Sequence, residues 1–363
     1  MACWSRCRLL SRAARTTSLV LAVAAAPVAA EEWVVFQDTG PLRVRDQFLL
    51  NMGVLAFTPD TAEPLLPGVN RIELKTTVTN TFAKSEEVEK ILERRDGRTP
   101  IDLDFLRSIP GSVFYLDGEI YRTELTLDRQ VTPRLQLGMT LQWLNGQGGV
   151  LDGMIEEFHD TFGLGQDGRL GVPRDEYRVY LRDGGEELYL DSDPDAGWGD
   201  ILLTSKVNLR TVPQPVSLSV ETSVKLPVGD EDSLYSSGSV DVGAQLLATL
   251  LYPCSCLHGS IGVLYLGEWE KLGLPSQVLF SGMVAYEHRT SPSSAVVFQL
   301  TASESPFAEL SLPELGQTSL QVSVGYKRQF SGKTVLFLAF TENIAHFNNT
   351  ADIGFHLGLS RAF

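Results

Sequence analysis

The sequence predicts an all-β fold, a transmembrane antiparallel β-barrel of about twelve strands (roughly 10–14) with short periplasmic turns and long extracellular loops. Three observations predict it. Segments of 10 to 14 residues alternate apolar and polar side chains with period two, the links between them are short and long by turns, and Phe363 ends the chain in mid-pattern. In hydrocarbon every backbone N–H and C=O needs a partner, and a closed barrel is the sheet without an edge. A secreted β-sandwich would also alternate, but it explains neither the strand length, nor the ordering of the loops, nor the aromatic stop.

The N-terminus sets the compartment. Arg6, Arg8, Arg12 and Arg15 precede an apolar run at 19–26, and Val28, Ala29 and Ala30 precede Glu31 and Glu32. This is the build of a cleaved secretory signal over 1–30, cut near Ala30. The apolar run is about half of the roughly 20 residues that a membrane-spanning helix needs. Losing four of the 30 lysines and arginines leaves 26 against 45 acidic residues, a net charge of −19. That sign excludes nucleic acid as a partner. Only Cys254 and Cys256 stay in the mature chain, too few for a disulfide scaffold.

Residues 31–68 precede the first strand and are expected to form a periplasmic N-terminal segment or plug; 69–363 form the barrel. In the first strand, 69–82, Ile72, Leu74, Thr76 and Val78 alternate with Arg71, Glu73, Lys75 and Thr77. Further strands are expected near 112–127, 131–144, 198–210, 215–227, 238–251, 256–268, 277–290, 293–304, 317–330, 333–343 and 350–363. Those at 293–304 and 333–343 are apolar on both faces, which a water-facing wall does not require. Tight links at 128–133, 211–215, 253–255, 290–292 and 331–333 alternate with long ones at 83–111, 145–197, 228–237, 269–276, 305–316 and 344–349. The last strand puts Phe355, Leu357, Leu359 and Phe363 on one face. It should close the barrel against the first strand, with the Phe363 ring at the membrane interface. These four residues form a C-terminal assembly signal, so periplasmic chaperones, the barrel-assembly machinery and outer-membrane lipid are the expected partners.

Three stretches carry a family resemblance: "GPLRVRDQFLLNMGVLAFTPDTAEPLLPG" (40–68), "GGVLDGMIEEFHDTFGLGQDGR" (148–169) and "ENIAHFNNTADIGFHLGLSRAF" (342–363). They resemble the bacterial outer-membrane family called domain of unknown function 3187. "GWGDILLTSKVNL" (197–209), "KLPVGD" (225–230) and "GSVDVG" (238–243) are similar to putative outer-membrane transporter barrels. The resemblance implies location and fold, and no activity.

Inward positions hold Arg71, Glu73, Lys75, Arg122, Glu124, Asp200, Lys206, Glu221, Lys225, Asp241, Lys327 and His356, candidates to line a pore. In the long loop 145–197, "DGMIEEFHD" reads as a helix capped by Asp152 and ended by Gly163, with Glu156, Glu157, His159 and Asp160 on its polar side. "GLGQDG" (163–168) follows that helix instead of a strand, so it is read as a loop and not a dinucleotide site. Cys254 and Cys256 form a strained disulfide, remain inert thiols, or join His258 as an incomplete metal set. No metal site and no cofactor are assigned. His356 and Asp352 lie about 13 Å apart along one strand, and no nucleophile elbow occurs, so an enzyme is not expected. The expected function is a narrow channel or transporter for a small polar solute. The alternatives are a structural or surface-interaction barrel and an outer-membrane hydrolase.

Overall fold

The computed structural model describes residues 39–163, 165–209, 215–330, 333–345 and 347–363. The signal expected at 1–30 and the turn positions 211–214 and 331–332 lie outside the described residues. The strands are β1 (Asn70–Lys84), β2 (Val113–Gln130), β3 (Leu135–Gln147), β4 (Arg178–Asp183), β5 (Glu186–Leu190), β6 (Gly197–Trp198), β7 (Ile201–Asn208) and β8 (Val216–Leu226). They continue with β9 (Asp241–Leu251), β10 (Ser255–Leu266), β11 (Gln277–Ser291), β12 (Ser294–Ser303), β13 (Ser319–Phe330), β14 (Thr334–Ala345) and β15 (Ile353–Ala362).

Twelve of them, all but β4, β5 and β6, form one closed antiparallel ring in sequence order. β15 returns to β1 in a register running from Arg71↔Ala362 to Asn80↔Ile353. Phe363 and Asn70 extend the seam by exchanging two backbone hydrogen bonds of 2.9 Å. The terminal residue thus pairs with the start of the first strand, and its ring is exposed on the outside.

Alternation decides the two faces. On β1 the odd residues Arg71 to Thr79 are buried while Ile72 and Leu74 are exposed; on β15 His356 and Ser360 are buried while Phe355, Leu357 and Leu359 are exposed. A polar residue that is buried and an apolar one that is exposed invert the order of a water-soluble protein. The exterior is the lipid face. Trp143 and Trp198 meet edge to face at 5.1 Å on that exterior, where interfacial aromatics belong.

The long links fold into a cap at one end of the ring. Loop 85–112 carries α1 (Glu86–Leu92) and α2 (Leu103–Ser108), and loop 148–200 carries α3 (Asp152–Phe162) together with β4, β5 and β6. β2 outruns the barrel: β3 leaves it at Glu119↔Gln147, and β4 takes over at Asp117↔Arg178. Hairpin β4–β5 turns on Gly184 and Gly185 with φ of 57° and 103°, angles that cost glycine little. Val88, Leu92, Leu106, Ile109, Val113 and Tyr180 bury one another between these helices and the extended sheet.

Candidate functional site

Of the segment expected as a periplasmic N-terminal piece or plug, residues 40–63 run inside the barrel. Residues 40–63 enter the lumen from the short-turn end, rise to the cap, turn at Leu49–Asn51 and descend. Such an extended segment has no ladder of its own, so its backbone groups need partners from the wall. The wall supplies them. Four inward lysines donate to hairpin carbonyls: Lys327 to Gly40 (2.6 Å), Lys75 to Arg43 (2.7 Å), Lys225 to Gly53 (2.6 Å) and Lys206 to Thr61 (3.1 Å). Wall acceptors meet the N–H groups: Glu287 at Gly40 (2.7 Å), Gln299 at Leu42 (2.9 Å), Asp241 at Leu55 (2.9 Å) and Thr249 at Ala62 (3.0 Å).

Side chains pair across the same boundary. Arg45 reaches Glu124 and Gln142, each at 2.9 Å, and Lys75 also meets Glu124 at 2.5 Å. Asp60 of the descending limb binds Lys206 at 2.7 Å, and Arg43 lies 3.4 Å from Glu73. Lys225 stands between Asp200 (2.9 Å) and Asp241 (3.2 Å), all three about 1 % exposed. Arg122 adds to the Glu124 group at 3.2 Å. Glu221 takes a hydrogen bond from Gln245, and His356 lies between Thr77 and Thr341. The inward residues singled out above are buried on the lumen side. Lys75, Glu124, Lys206, Lys225, Asp241 and Lys327 grip the hairpin, whereas Arg122, Asp200, Glu221 and His356 bond to neighbouring wall and loop groups.

The other side of the lumen is apolar. Leu42 and Val44 pack on Met283, Ala285, Val297, Phe337 and Ala339. This is why β12 and β14 are apolar on both faces: one meets lipid, the other the hairpin. Two hairpin side chains enter holes left by inward glycines. A Cβ at Gly325 would stand 2.5 Å from Leu42 Cδ2, and one at Gly243 would stand 2.7 Å from the Phe57 ring. Gly262 is overlain by the same ring. Above, Phe48, Leu49, Leu50 and Met52 at the hairpin tip join a core with Phe114 of β2, Leu144 of β3, and Tyr235, Trp269, Phe307 and Leu315 from the surrounding loops. The hairpin fills the lumen and seals the mouth. Among the described residues two small spaces lie beside it. One, about 90 Å³, lies towards β9–β13; the other, about 20 Å³, lies between Asp60, Asp128 and Glu221.

In the outer loop the four polar residues of α3 do not act together. Glu156 is buried and takes hydrogen bonds from Arg98 (2.7 Å) and Arg174 (2.9 Å). Burial opposes its ionisation, but the two arginines outweigh that and hold its carboxyl below the usual range. Glu157 is exposed, Asp160 accepts from Gln166 at 2.7 Å, and His159 contacts the Gly165 carbonyl. Asp152 is not the cap. Leu151 holds that position, and the Asp152 carboxylate instead binds Arg169 (3.0 Å), Asn80 (3.1 Å) and the N–H of Asp175 (2.8 Å). Gly163 does end the helix, at φ 69°. Cys256 is a buried free thiol at the foot of β10, so the Cys254–Cys256 bridge does not form. A one-residue spacer leaves too little chain for relaxed disulfide geometry.

A family model described as protein of unknown function, DUF3187, matches residues 110–363. No curated protein matches the chain. Among solved structures, the COG4313 outer membrane channel from Pseudomonas putida F1 is similar with a TM-score of 0.53 at 14% identity, over 85% of this chain and 100% of that one. The NanC porin is similar at a TM-score of 0.43 and 5% identity, over 80% of this chain and 98% of that one. The first likeness is close enough to show a shared fold, and the second is not.

Proposed function

Starting from the fact that the chain belongs to the DUF3187 family, we propose that it is an outer-membrane channel for a small solute, held shut by its own N-terminal hairpin. The observation that carries this reading is the set of four wall lysines on hairpin carbonyls. A barrel serving only as a scaffold is most simply filled by its own wall side chains, as in small barrels. Here the wall is charged, and its charges are satisfied by a separate segment joined to the barrel at one end. Remove that segment and the wall becomes a hydrated lining of both signs. The solute then passes between that lining and the apolar side. The acidic outer surface raises the local cation concentration, so the open pore prefers cations weakly. Secretion through the signal at 1–30, periplasmic chaperones and the barrel-assembly machinery would place the protein in the outer membrane of a Gram-negative cell.

Planar-bilayer recording tests the reading. Joining residue 39 to residue 64 deletes the hairpin and should give steady ion conductance, with wild-type protein mostly closed. A folded deletion variant that never conducts would refute transport and leave a scaffold for the cap.

A further inference from the structure

The larger lumen space is built as a site. Its floor is Leu264, Leu266, Leu279 and Met283 from β10 and β11, with Phe57 of the hairpin as its side. At its outer end two asparagines present an oxygen each. Asn51 commits its Nδ2 to Asp46 at 2.8 Å, and Asn349, 3 % exposed, commits its Nδ2 to the Gln317 carbonyl. These bonds fix both amides, so the free atom in each case is the carbonyl oxygen. Among the described residues neither Oδ1 has a donor. A buried acceptor left unpaired costs about 1–3 kcal/mol, so a ligand that supplies a donor there gains what the empty site lacks.

We propose that this pocket binds a small neutral amphiphile, an alcohol whose O–H donates to Asn349 or Asn51 and whose apolar body lies on the leucine floor. Charge is disfavoured. Both oxygens of the nearby Asp46 are already taken, Oδ1 by the Phe48 N–H (3.0 Å) and Gln321 (3.1 Å), and Oδ2 by Asn51. The other carboxylate of the lining, Glu304, is exposed at the rim and holds the Phe280 N–H at 2.8 Å, the Arg45 guanidinium is engaged by Glu124, and two carbonyl oxygens repel an anion. Size is limited as well. A dry cavity of roughly 150 Å³ accepts benzene, so this space suits a body of about four or five heavy atoms.

1-Butanol and diethyl ether, isomers of one formula, separate the donor from the apolar body. Saturation-transfer NMR titration of the folded wild-type barrel in detergent should show butanol binding about fivefold more tightly, the scale of one net hydrogen bond. Asn349→Leu combined with Asn51→Leu should bring the two isomers within about twofold. Thr301→Phe, which fills the pocket from the inward face of β12, should abolish saturable binding of both, and Ser281→Phe provides the same test if that variant does not fold. Equal affinity of the wild type for the isomers, or undiminished binding in the filled variant, overturns the proposal. The titration uses closed protein, so it stands apart from conduction. A barrel that never conducts but prefers butanol keeps the site, and a conducting barrel without the preference keeps only the channel.

Discussion

The two halves of the lumen wall hold one hairpin by opposite means. On the side of β1, β2, β7 and β8 the grip is ionic, with Lys75, Lys206 and Lys225 on carbonyls and carboxylates. On the side of β9–β14 it is mainly apolar, with Leu42 against Gly325 and Phe57 against Gly243 and Gly262. The ionic contacts of β10–β14 with the hairpin, Lys327 and Glu287, are confined to Gly40 at its entry. The difference is one of tolerance. A buried ion needs every partner it has, because a lone charge in a low dielectric is costly. An apolar contact loses in proportion to what is removed. The ionic half therefore sets the hairpin's position, and the apolar half has room for the 90 Å³ space.

The largest effect should come from the ionic half. Lys225→Met strands Asp200 and Asp241 and releases the Gly53 carbonyl. Removing one partner of such a buried set costs about 3–5 kcal/mol, to be read as a lower urea midpoint in detergent. The apolar half should respond less. Gly262→Val drives a side chain into the Phe57 ring and should cost about 1–3 kcal/mol of overpacking. Its sharper readout is conductance, because displacing Phe57 should raise the open fraction of the channel. If Gly262→Val proves worse than Lys225→Met, the division of labour is wrong.

Acid should loosen the cap first. The Arg107 hydrogen bond holds Glu187 at about 2 against an ordinary 4.5, and Glu156 is likewise depressed. A depressed folded value means that stability is full above the unfolded value and lost as pH falls through the folded one. Protection against hydrogen exchange, taken relative to the intrinsic rate at each pH, should therefore fall between pH 5 and 2.5 in 85–112 and 148–200, the loops these pairs join, before it does in β1 or β15. Earlier loss of protection in the strands would contradict this. The smallest effect belongs to Glu221→Gln. Its carboxylate accepts from Gln245, a bond that the glutamine carbonyl oxygen can also accept, so stability should move by less than a typical hydrogen bond contributes, about 1 kcal/mol. In the hairpin-deleted barrel the same change should shift reversal potentials towards anions.

How much of this was legible follows from which contacts are local. Strand positions came through to within a few residues, because lipid on one side and filled lumen on the other enforce strict alternation. The loop order placed the cap, but hairpin β4–β5 escaped notice although Gly184 and Gly185 sit between the alternating runs 178–183 and 186–190. That glycine pair was a readable turn signal. The lumenal course of 40–63 was less accessible, since the segment has no periodicity and its partners lie far along the chain, such as Lys327 for Gly40. One trace of it was present. Gly243, Gly262 and Gly325 all occupy inward strand positions, where a missing side chain marks a close approach. The candidate wall residues were found by face alone; what they bind was not, because alternation identifies a direction and never a partner.

A reversible lock tests the central claim most directly. The Thr61 and Thr249 hydroxyls, one on the hairpin and one on β9, are 3.1 Å apart, so the pair Thr61→Cys and Thr249→Cys is placed to form a disulfide. Single-channel recording of that variant should show openings under reducing conditions, none after oxidation, and their return when reductant is added. Openings of unchanged size and frequency in the oxidised, cross-linked protein would show that solute passes without the hairpin moving, and would contradict the account.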